Sequence, residues 1–580
     1  MTRPGMPRLV AHRGLHAEET GGARENTLAA LRAAVAAGAT WIEIDVRRTR
    51  DGAVVLLHDP TLERLWGDRS AIADLELAEV RERGGGERRI PLLSEALDLL
   101  HGSGVVLLID MDEAVPAAAA AEVVRSSPAD TATAWCGDLD AMRRVRAELP
   151  DAEIWMPWAS PVPPSEAELA ELRPSVVNAP HLIVGADFVS GVHARGLGVA
   201  VWTVDEPAQA AHLARLGVDS VTTNVLPRLQ AAVADVTTGS SDSDEGERAA
   251  GIVRELAEWA AERTALARID GIGPVQTKKD PGDHVTRIDR EIEHGVRVAL
   301  RAQFPAHDIV GEEEGGESDG TRPCWYLDPV DGTANLANGV PWTSFSLALV
   351  QDGRPVVGAV LDPVGEAKDG ISVPVPVIAG EGRGAWRRGS RLVSSPGAGE
   401  DPLSGAIVTT ELAGTSAWPG LSRMLDALAE RHCTLRIPGS GTATLAGVAL
   451  GRGIAAMVHR YSPLDHAAAL LIVAEAGGCV LDAEGRPTLD PGPGPVFTGV
   501  DERSARALHL IWREAASRAA SDGRDERAGA GSRSDPHHSC CPVDAGARCS
   551  ASRSRRACNR CRVVSLIAPW FRRRITTSRV

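Results

Sequence analysis

LDPVDGTAN, residues 327–335, sets two acids three positions apart, Asp328 and Asp331, around a proline and ahead of a Gly-Thr pair. The apolar run 325–327 leads into it, so the stretch reads as the end of a buried strand. Carboxylates gathered at such a point repel one another unless a cation sits among them. Gly332 and Thr333, opening a helix, would present backbone N–H groups to an anion. The stretch is suited to holding a metal with its carboxylates and a phosphate with its amides.

Four other segments supply what this stretch lacks. KKDPGDHVTRID (278–289) carries Lys278, Asp283 and Asp289, and IVGEEEGG (309–316) carries Glu312 and Glu313. PGSGTATLAG (438–447) is a small-residue loop entering a helix, and SPLDHAAALLIVAEAGG (462–478) puts Asp465 at the start of a buried helix. Hard oxygen ligands of this kind suit Mg²⁺. After a helix at 287–303, strand-like runs (FSLALV, PVVGAVL, GAIVTT) dominate, with later helices at 421–432 and 442–451, which suggests a layered α/β or α+β domain. Ahead of them, IVRELAEWAAERTALARI forms an amphipathic helix whose apolar stripe is interrupted by Arg263, so that face is expected to be only partly buried.

The first 230 residues have a different rhythm. Short apolar runs such as VVLLH, GVVLLID and GVAVWTV alternate with Ala/Leu/Arg-rich helices, the pattern and size of a (β/α)₈ barrel. ENTLAALRAAVAAG is one such helix, with Asn26 or Thr27 as its cap and Gly38 as its stop. VAHRG (10–14) ends the first strand with His12, Arg13 and Gly14. WIEIDV (41–46) puts Glu43 and Asp45 on one side of a strand by its period of two. VVLLHDP (54–60) ends a third strand with His58. Strand ends converge at one mouth of a barrel, where two histidines flanking a metal-bound phosphate would serve as an acid/base pair.

Taken in order, HRG, ENT, EIDV, DG, HDPTLERLWG and IPLLSEAL, with GVAVWTVDE and GVDSVTTNVLP further on, resemble the glycerophosphodiester phosphodiesterase family over about residues 9–229. The resemblance implies a TIM-type barrel that hydrolyses glycerophosphodiesters to glycerol 3-phosphate and an alcohol. It implies His12 and His58 as the acid/base pair and Arg13 as a phosphate contact. Glu43, Asp45 and Asp110 would hold a divalent cation, Mg²⁺ or Ca²⁺. In LLIDMDE the chain departs from the family: Asp110 stands for its glutamate, and Asp112 reverses the charge of its lysine.

LDPVDGTAN and its companions resemble the inositol monophosphatase family over about residues 250–515. That resemblance implies an αβαβα phosphatase using two or three Mg²⁺ ions on a phosphomonoester such as inositol phosphate. Glu312, Asp328 and the Val330 carbonyl would bind one ion, and Asp328, Asp331 and Asp465 another. Glu312 is also a candidate for a third position. Asp289 with Thr333 would activate the attacking water, and Gly332 and Thr333 would contact the phosphate. Leu464 replaces the family's Trp, Leu336 its Phe, and Val458, beside His459, its inositol-side glutamate.

The expected organisation is a barrel at 1–236, a flexible acidic Ser-rich linker at 237–248, a phosphatase domain at 249–516, and a disordered Arg/Cys-rich tail at 517–580. From Ser521 the chain carries 13 Arg against 5 acids, within a net charge of −16 overall. That negative balance argues against nucleic-acid binding. HHSCC and CNRC in the tail are zinc ligands by type, although their spacing matches no finger. No apolar run reaches membrane-spanning length. Four scattered cysteines in the first 520 residues suit the cytoplasm.

The expected protein is a bifunctional phosphoesterase acting on small phosphorylated substrates, a homodimer through its C-terminal domain. Two alternatives stand beside it. In one, a half of the chain, the barrel by preference, is a non-catalytic binding module. In the other, the second half acts on a sugar, histidinol or nucleotide phosphate.

Overall fold

The computed structural model describes residues 6–529 except 17–22, 84, 87–88, 128–130, 235–241, 278–283, 369–370, 398 and 413–415. Lys278, Asp283 and the tail beyond 529 lie outside the described residues. Backbone contacts divide the chain into two compact units. One is built on Met1–Ile252 with Gly295–Pro305, the other on Val253–His294 with residues from Ala306 onward.

The first unit is a closed barrel of eight parallel strands in chain order: Arg8–Ala11, Trp41–Arg48, Val106–Met111, Thr133–Gly137, Glu153–Pro157, Val176–Pro180, Gly198–Trp202 and Ser220–Thr223. Closure is direct, because Arg8–Ala11 pairs with both Trp41–Arg48 and Ser220–Thr223. A helix follows every strand, beginning with Leu28–Ala36 and ending with Leu226–Ala234. Thr27 caps the first of these, its hydroxyl accepting from the Ala30 amide.

The barrel's register sorts its interior by chemistry. Glu43 lies beside Leu108, Asp45 beside Asp110, and Asp110 beside Cys136. Neighbours in a parallel register share a face, so all of these point inward. Below them, Val10, Trp41, Leu108, Ala134, Trp155, Val176 and Ala200 fill the interior, with the Trp41 and Trp155 rings stacked 5.1 Å apart. Apolar bulk closes one end and carboxylates rim the other.

His58 reaches that rim by an unexpected route. Val54–Leu56 is not a stave of the barrel but turns back antiparallel along Trp41–Arg48. The hairpin ends with the Leu57 amide donating to the Asp45 carbonyl, 3.1 Å. His58 is thereby placed by a short-range hairpin and not by the strand-end convergence expected of it.

The second unit is layered. A seven-stranded sheet runs Asp308–Gly311, Cys324–Asp331, Ser344–Gln351, Arg354–Lys368, Ile371–Gly380, Gly384–Arg387 and Ser390–Arg391. A five-stranded sheet has the order Thr434–Arg436, Ile407–Thr410, Ala455–Val458, Val496–Gly499, Cys479–Leu481. The helices Gly441–Ala446 and Pro463–Glu475 lie between them. Ala467–Val473 are fully buried against Ala348, Val360 and Val377 of one sheet and Ala456, Val458 and Val496 of the other. The helices Leu421–Ala429 and Glu502–Gly529 cover the second sheet through Met424, Leu428, Leu508 and Ile511. The αβαβα arrangement follows.

Three local expectations change. Arg263 does not leave its helix face half-exposed, because it pairs at 2.5 Å with Glu291, whose side chain is 7% exposed. The helix Asp242–Asp270 starts inside the acidic stretch expected to be a flexible linker. Its Glu245, Glu247, Arg248 and Ala249 are good helix formers, and they carry the helix into that stretch. The closing helix likewise runs on to Gly529, past residue 516.

Candidate active sites

In the barrel, His12 and Arg13 follow the first strand directly. The His12 amide donates to the Thr223 carbonyl at 2.9 Å, after which Arg13 turns with φ +57°. That turn drops the Arg13 amide onto Glu43 (2.9 Å) and its guanidinium between Glu25 (2.8 Å) and Asp45 (3.0 Å). Arg13 is 1% exposed. The residue expected at a phosphate thus spends its charge on two carboxylates of its own fold. Asn26, read as a helix cap, instead grips Asp45 twice, donating to its carboxylate at 2.8 Å and accepting from its amide at 3.1 Å.

The two histidines are supported differently. His12 Nδ1 lies 2.7 Å from Asn224 Oδ1, and the Asn224 amide groups donate to Asp205 at 2.7 and 2.8 Å. That orientation makes Asn224 an acceptor, so His12 carries its proton on Nδ1 and aims a lone pair on Nε2 toward Glu43, 3.8 Å away. Burial and the neighbouring Arg13 push His12 down to about 3, so it is neutral at pH 7. His58 Nδ1 sits 2.6 Å from Asp59, a carboxylate. Its Nε2 is buried and has no hydrogen-bond partner among the described residues.

The acids between them are crowded. Burial, then Asp45 and Asp110, raises Glu43 well above the usual carboxylate range, and burial with Asp45 pushes Asp110 up to about 7. Burial would raise Asp45 too, but Arg13 and the histidines pull it below its ordinary value. Cys136 donates to Asp110 at 3.4 Å. Asp112 is not a bare charge facing the site. Arg47, buried under the mouth, donates to Asp112 (2.5 Å), Glu113 (3.0 Å) and the His58 carbonyl (2.6 Å).

In the second unit, the opening motif works through a break in its strand. Asp328 pairs with Ser346 but Asp331 with Ser344, so three steps on one strand match two on its neighbour. This bulge at Pro329–Val330 matters because a regular strand would send residues three apart to opposite faces. Here both acids enter one cluster. The Val330 amide donates to Asp328 at 2.9 Å, and the Thr333 hydroxyl lies 2.9 Å from the Val330 carbonyl and 3.0 Å from Asp289. Gly332 turns the chain with φ +86°, and a Cβ there would meet the Gly439 and Trp342 carbonyl oxygens at 2.9 and 3.0 Å.

The loop 438–442 closes on the motif from the other side. The Ser440 hydroxyl and the Thr442 amide both donate to Asp331 at 2.7 Å. Asn335 donates to the Pro438 and Trp342 carbonyls, while Glu411 accepts from the Gly439 amide. Glu312 comes from an acidic turn that is built rather than merely solvated. Glu293, fully buried, accepts from the Glu313 and Glu314 amides at 2.7 and 2.8 Å.

Glu312, Asp331 and Asp465 are the acidic neighbours of Asp328. Burial followed by these neighbours raises Asp328 well above its ordinary value. Burial with Asp465 takes Asp331 up to about 6, and burial with Glu312 takes Asp465 up to about 7. Burial also raises Asp289.

Among the described residues, no group of three or more His, Cys, Asp or Glu side chains stands ready-made to hold a metal ion. Local donors explain this in part, since Asp331 is engaged by Ser440 and Thr442, and Asp45 by Arg13 and Asn26. The donor chemistry still fits a hard divalent cation, because buried carboxylates in mutual contact hold protons that such an ion displaces.

Sequence reasoning missed the supporting residues Glu25, Arg47, Asp59, Arg64, Asp205, Asn224, Glu293, Glu411 and Ser440. Glu25, Asp59 and Arg64 lie within quoted motifs and were within its reach. Glu293 sits on a helix with no local signal of its role.

Both units match families of phosphoesterases. The inositol monophosphatase family model matches residues 246–518, and the glycerophosphoryl diester phosphodiesterase family model matches residues 12–226. Nus factor SuhB of Pseudomonas aeruginosa is 35% identical over 234 residues, 38% of this chain and 79% of that protein. Inositol monophosphatase 2 of Solanum lycopersicum is 34% identical over 214 residues, 35% of this chain and 76% of that protein. A phosphodiesterase of Oleispira antarctica, solved with its product sn-glycerol-3-phosphate, shares 26% identity. It matches 40% of this chain and 97% of its own with a TM-score of 0.36. The chain belongs to the inositol monophosphatase family through residues 246–518, and the barrel ahead of it is the part matched by the glycerophosphoryl diester phosphodiesterase family model. It is a hydrolase, and the inositol monophosphatase family is metal-dependent, typically on Mg²⁺.

Proposed function

We propose that the barrel hydrolyses glycerophosphodiesters to glycerol 3-phosphate and an alcohol, and that the second unit hydrolyses a phosphomonoester. The observation that carries this reading is that each unit gathers its predicted acids beside its predicted proton-transfer groups.

In the barrel, Glu43, Asp45 and Asp110 would hold a divalent cation, Mg²⁺ or Ca²⁺. His12, neutral with its lone pair on Nε2, takes the proton of the attacking group. In its doubly protonated form, with Nδ1–H held by Asp59, His58 would deliver the Nε2 proton to the leaving oxygen. Arg13 keeps Asp45 charged, and any contact it makes with phosphate is limited to what its two carboxylates leave over.

In the second unit, Glu312, Asp328, Asp331, Asp465 and the Val330 carbonyl would hold two or three Mg²⁺ ions. A bound cation supplies charge to the phosphoryl oxygens as negative charge builds on them. The Thr333 hydroxyl donates to Asp289, and this pair orients the attacking water and takes its proton. Gly332 and Thr333 offer their amides to the phosphate.

One observation favours a monoester other than inositol phosphate. Val458, at the position where a sugar-side carboxylate was expected to be missing, is 2% exposed and buried with Ala348 and Leu470, so it offers a substrate no contact.

The reading carries small phosphorylated substrates, no nucleic-acid partner and a cytoplasmic setting, consistent with a net charge of −16 and four free cysteines among the described residues. The homodimer rests on family resemblance alone. Among the described residues, no helix is long and apolar enough to cross a membrane.

The test is the full chain assayed with Mg²⁺ on a glycerophosphodiester and on a panel of phosphomonoesters. His12→Ala should remove only the first activity and Asp328→Asn only the second. Loss of both in either variant, or of neither, contradicts the assignment.

A further inference from the structure

Beneath the barrel mouth a chain of alternating charges runs from Asp45 to His58. Asp45 Oδ2 lies 3.0 Å from Arg13 Nε, and Arg13 donates to Glu25 at 2.8 Å. Glu25 accepts from Arg64 twice, at 2.6 and 3.0 Å. Arg64 donates through Nε to Asp59 at 2.6 Å, and Asp59 meets His58 Nδ1 at 2.6 Å. Glu25 is 4% exposed and Asp59 7%. Each interior member is shared between two neighbours, so none can rotate without unpairing the next.

Its two ends are the groups that matter. One end is Asp45, in the acid cluster; the other is His58, whose Nε2 is buried and unpartnered among the described residues. The hairpin bearing His58 touches the barrel strand through backbone pairs but does not by itself fix the imidazole. Arg64 and Glu25 do, and they tie its orientation to that of Asp45.

We propose that Glu25 and Arg64 are positioning residues, a rigid ion-paired ladder that sets the His58 imidazole and the Asp45 carboxylate at a fixed relation. Neither touches substrate. A ladder of this kind is worth most in catalysis, because misplacing a reacting group by about 1 Å costs about 10²-fold in rate. The inference rests on the diesterase reading for its catalytic consequence and on geometry alone for its structural one.

The test uses the full-length protein and the variants Arg64→Gln, Asp59→Asn and their double. Two readouts are taken: diester kcat and KM with Mg²⁺, and the ¹⁵N spectrum of the His58 ring. The expected result is a fall in kcat of about 10²-fold with KM little changed, monoester turnover intact, and shifted ¹⁵N resonances of the His58 ring. The double variant should be scarcely worse than either single one, since both cut the same ladder. Single effects that multiply, or a His58 ring unchanged in Arg64→Gln, would overturn the proposal. Should the wild-type protein turn over no diester, the diesterase reading fails, and the ring spectrum still decides the ladder.

Discussion

The barrel and the phosphatase unit solve one problem, how to keep buried carboxylates together, in opposite ways. The barrel supplies its own counter-charge. Arg13 lies between Asp45 and Glu25, Arg64 between Glu25 and Asp59, and Arg47 between Asp112 and Glu113. Around Asp328 and Asp331, the groups seen to meet these two carboxylates among the described residues are other carboxylates, a hydroxyl and backbone amides. The first site is neutralised largely from within. Among the described residues, the second is met mainly by neutral donors.

That contrast can be broken most sharply by removing one acid from each site. His12→Ala and Asp328→Asn set the scale in activity; the former should cost about 10²–10⁴-fold in diester turnover, the contribution of a lost proton-transfer group. Stability is where the two units should part. Asp45→Asn breaks one of the two buried ion pairs of Arg13, leaving it Glu25, and should destabilise the barrel by about 3 kcal/mol, the low end of the cost of breaking a buried pair. Asp328→Asn removes a repelled charge, so metal-free protein should become more stable while monoesterase activity disappears. Chemical denaturation of both variants without metal checks the two signs.

A pH series sharpens the same contrast. Asp331 at about 6 and Asp465 at about 7 are raised above the unfolded value of about 3.9. Their protonated forms favour the fold, so that contribution is complete below pH 4 and is lost as pH climbs through 6 to 7. Mg²⁺ binds the ionised forms and reverses the trend. The Mg²⁺-induced rise in melting temperature of the phosphatase unit should therefore be larger at pH 8 than at pH 5, as calorimetry can follow. In the barrel Glu43, raised, and Asp110, pushed up to about 7, should act likewise, but the depressed Asp45 should not, so the increment there should be smaller.

The smallest effect concerns Asp112. Restoring a lysine there would put a cation against Arg47 and withdraw one of its partners. Asp112→Lys is expected to lower stability by about 1–3 kcal/mol and to give no gain in diester turnover, measured by denaturation and assay together.

How far these sites could be read from the chain follows from distance in sequence. The β/α alternation and the strand-borne pair Glu43 and Asp45 are local, and period-2 geometry suffices for them. DPVDGT announced a site, but not the bulge that lets Asp328 and Asp331 share it, because pairing register is set by the neighbouring strand. His58 was placed correctly at the mouth for the wrong geometric reason. The grip of Ser440 on Asp331 spans 109 residues, and that of Asn224 on His12 spans 212. Such contacts leave no mark in periodicity or spacing. Asp112 looked like a reversed charge only because Arg47, 65 positions earlier, gave no sign of facing it.

Crystals of the full chain soaked in Mn²⁺ at pH 8 and measured for anomalous scattering give the most direct check on two separate cation sites. The expected map has one peak among Glu43, Asp45 and Asp110 and at least one more among Glu312, Asp328, Asp331 and Asp465. A map with no density at the second cluster would contradict the central claim.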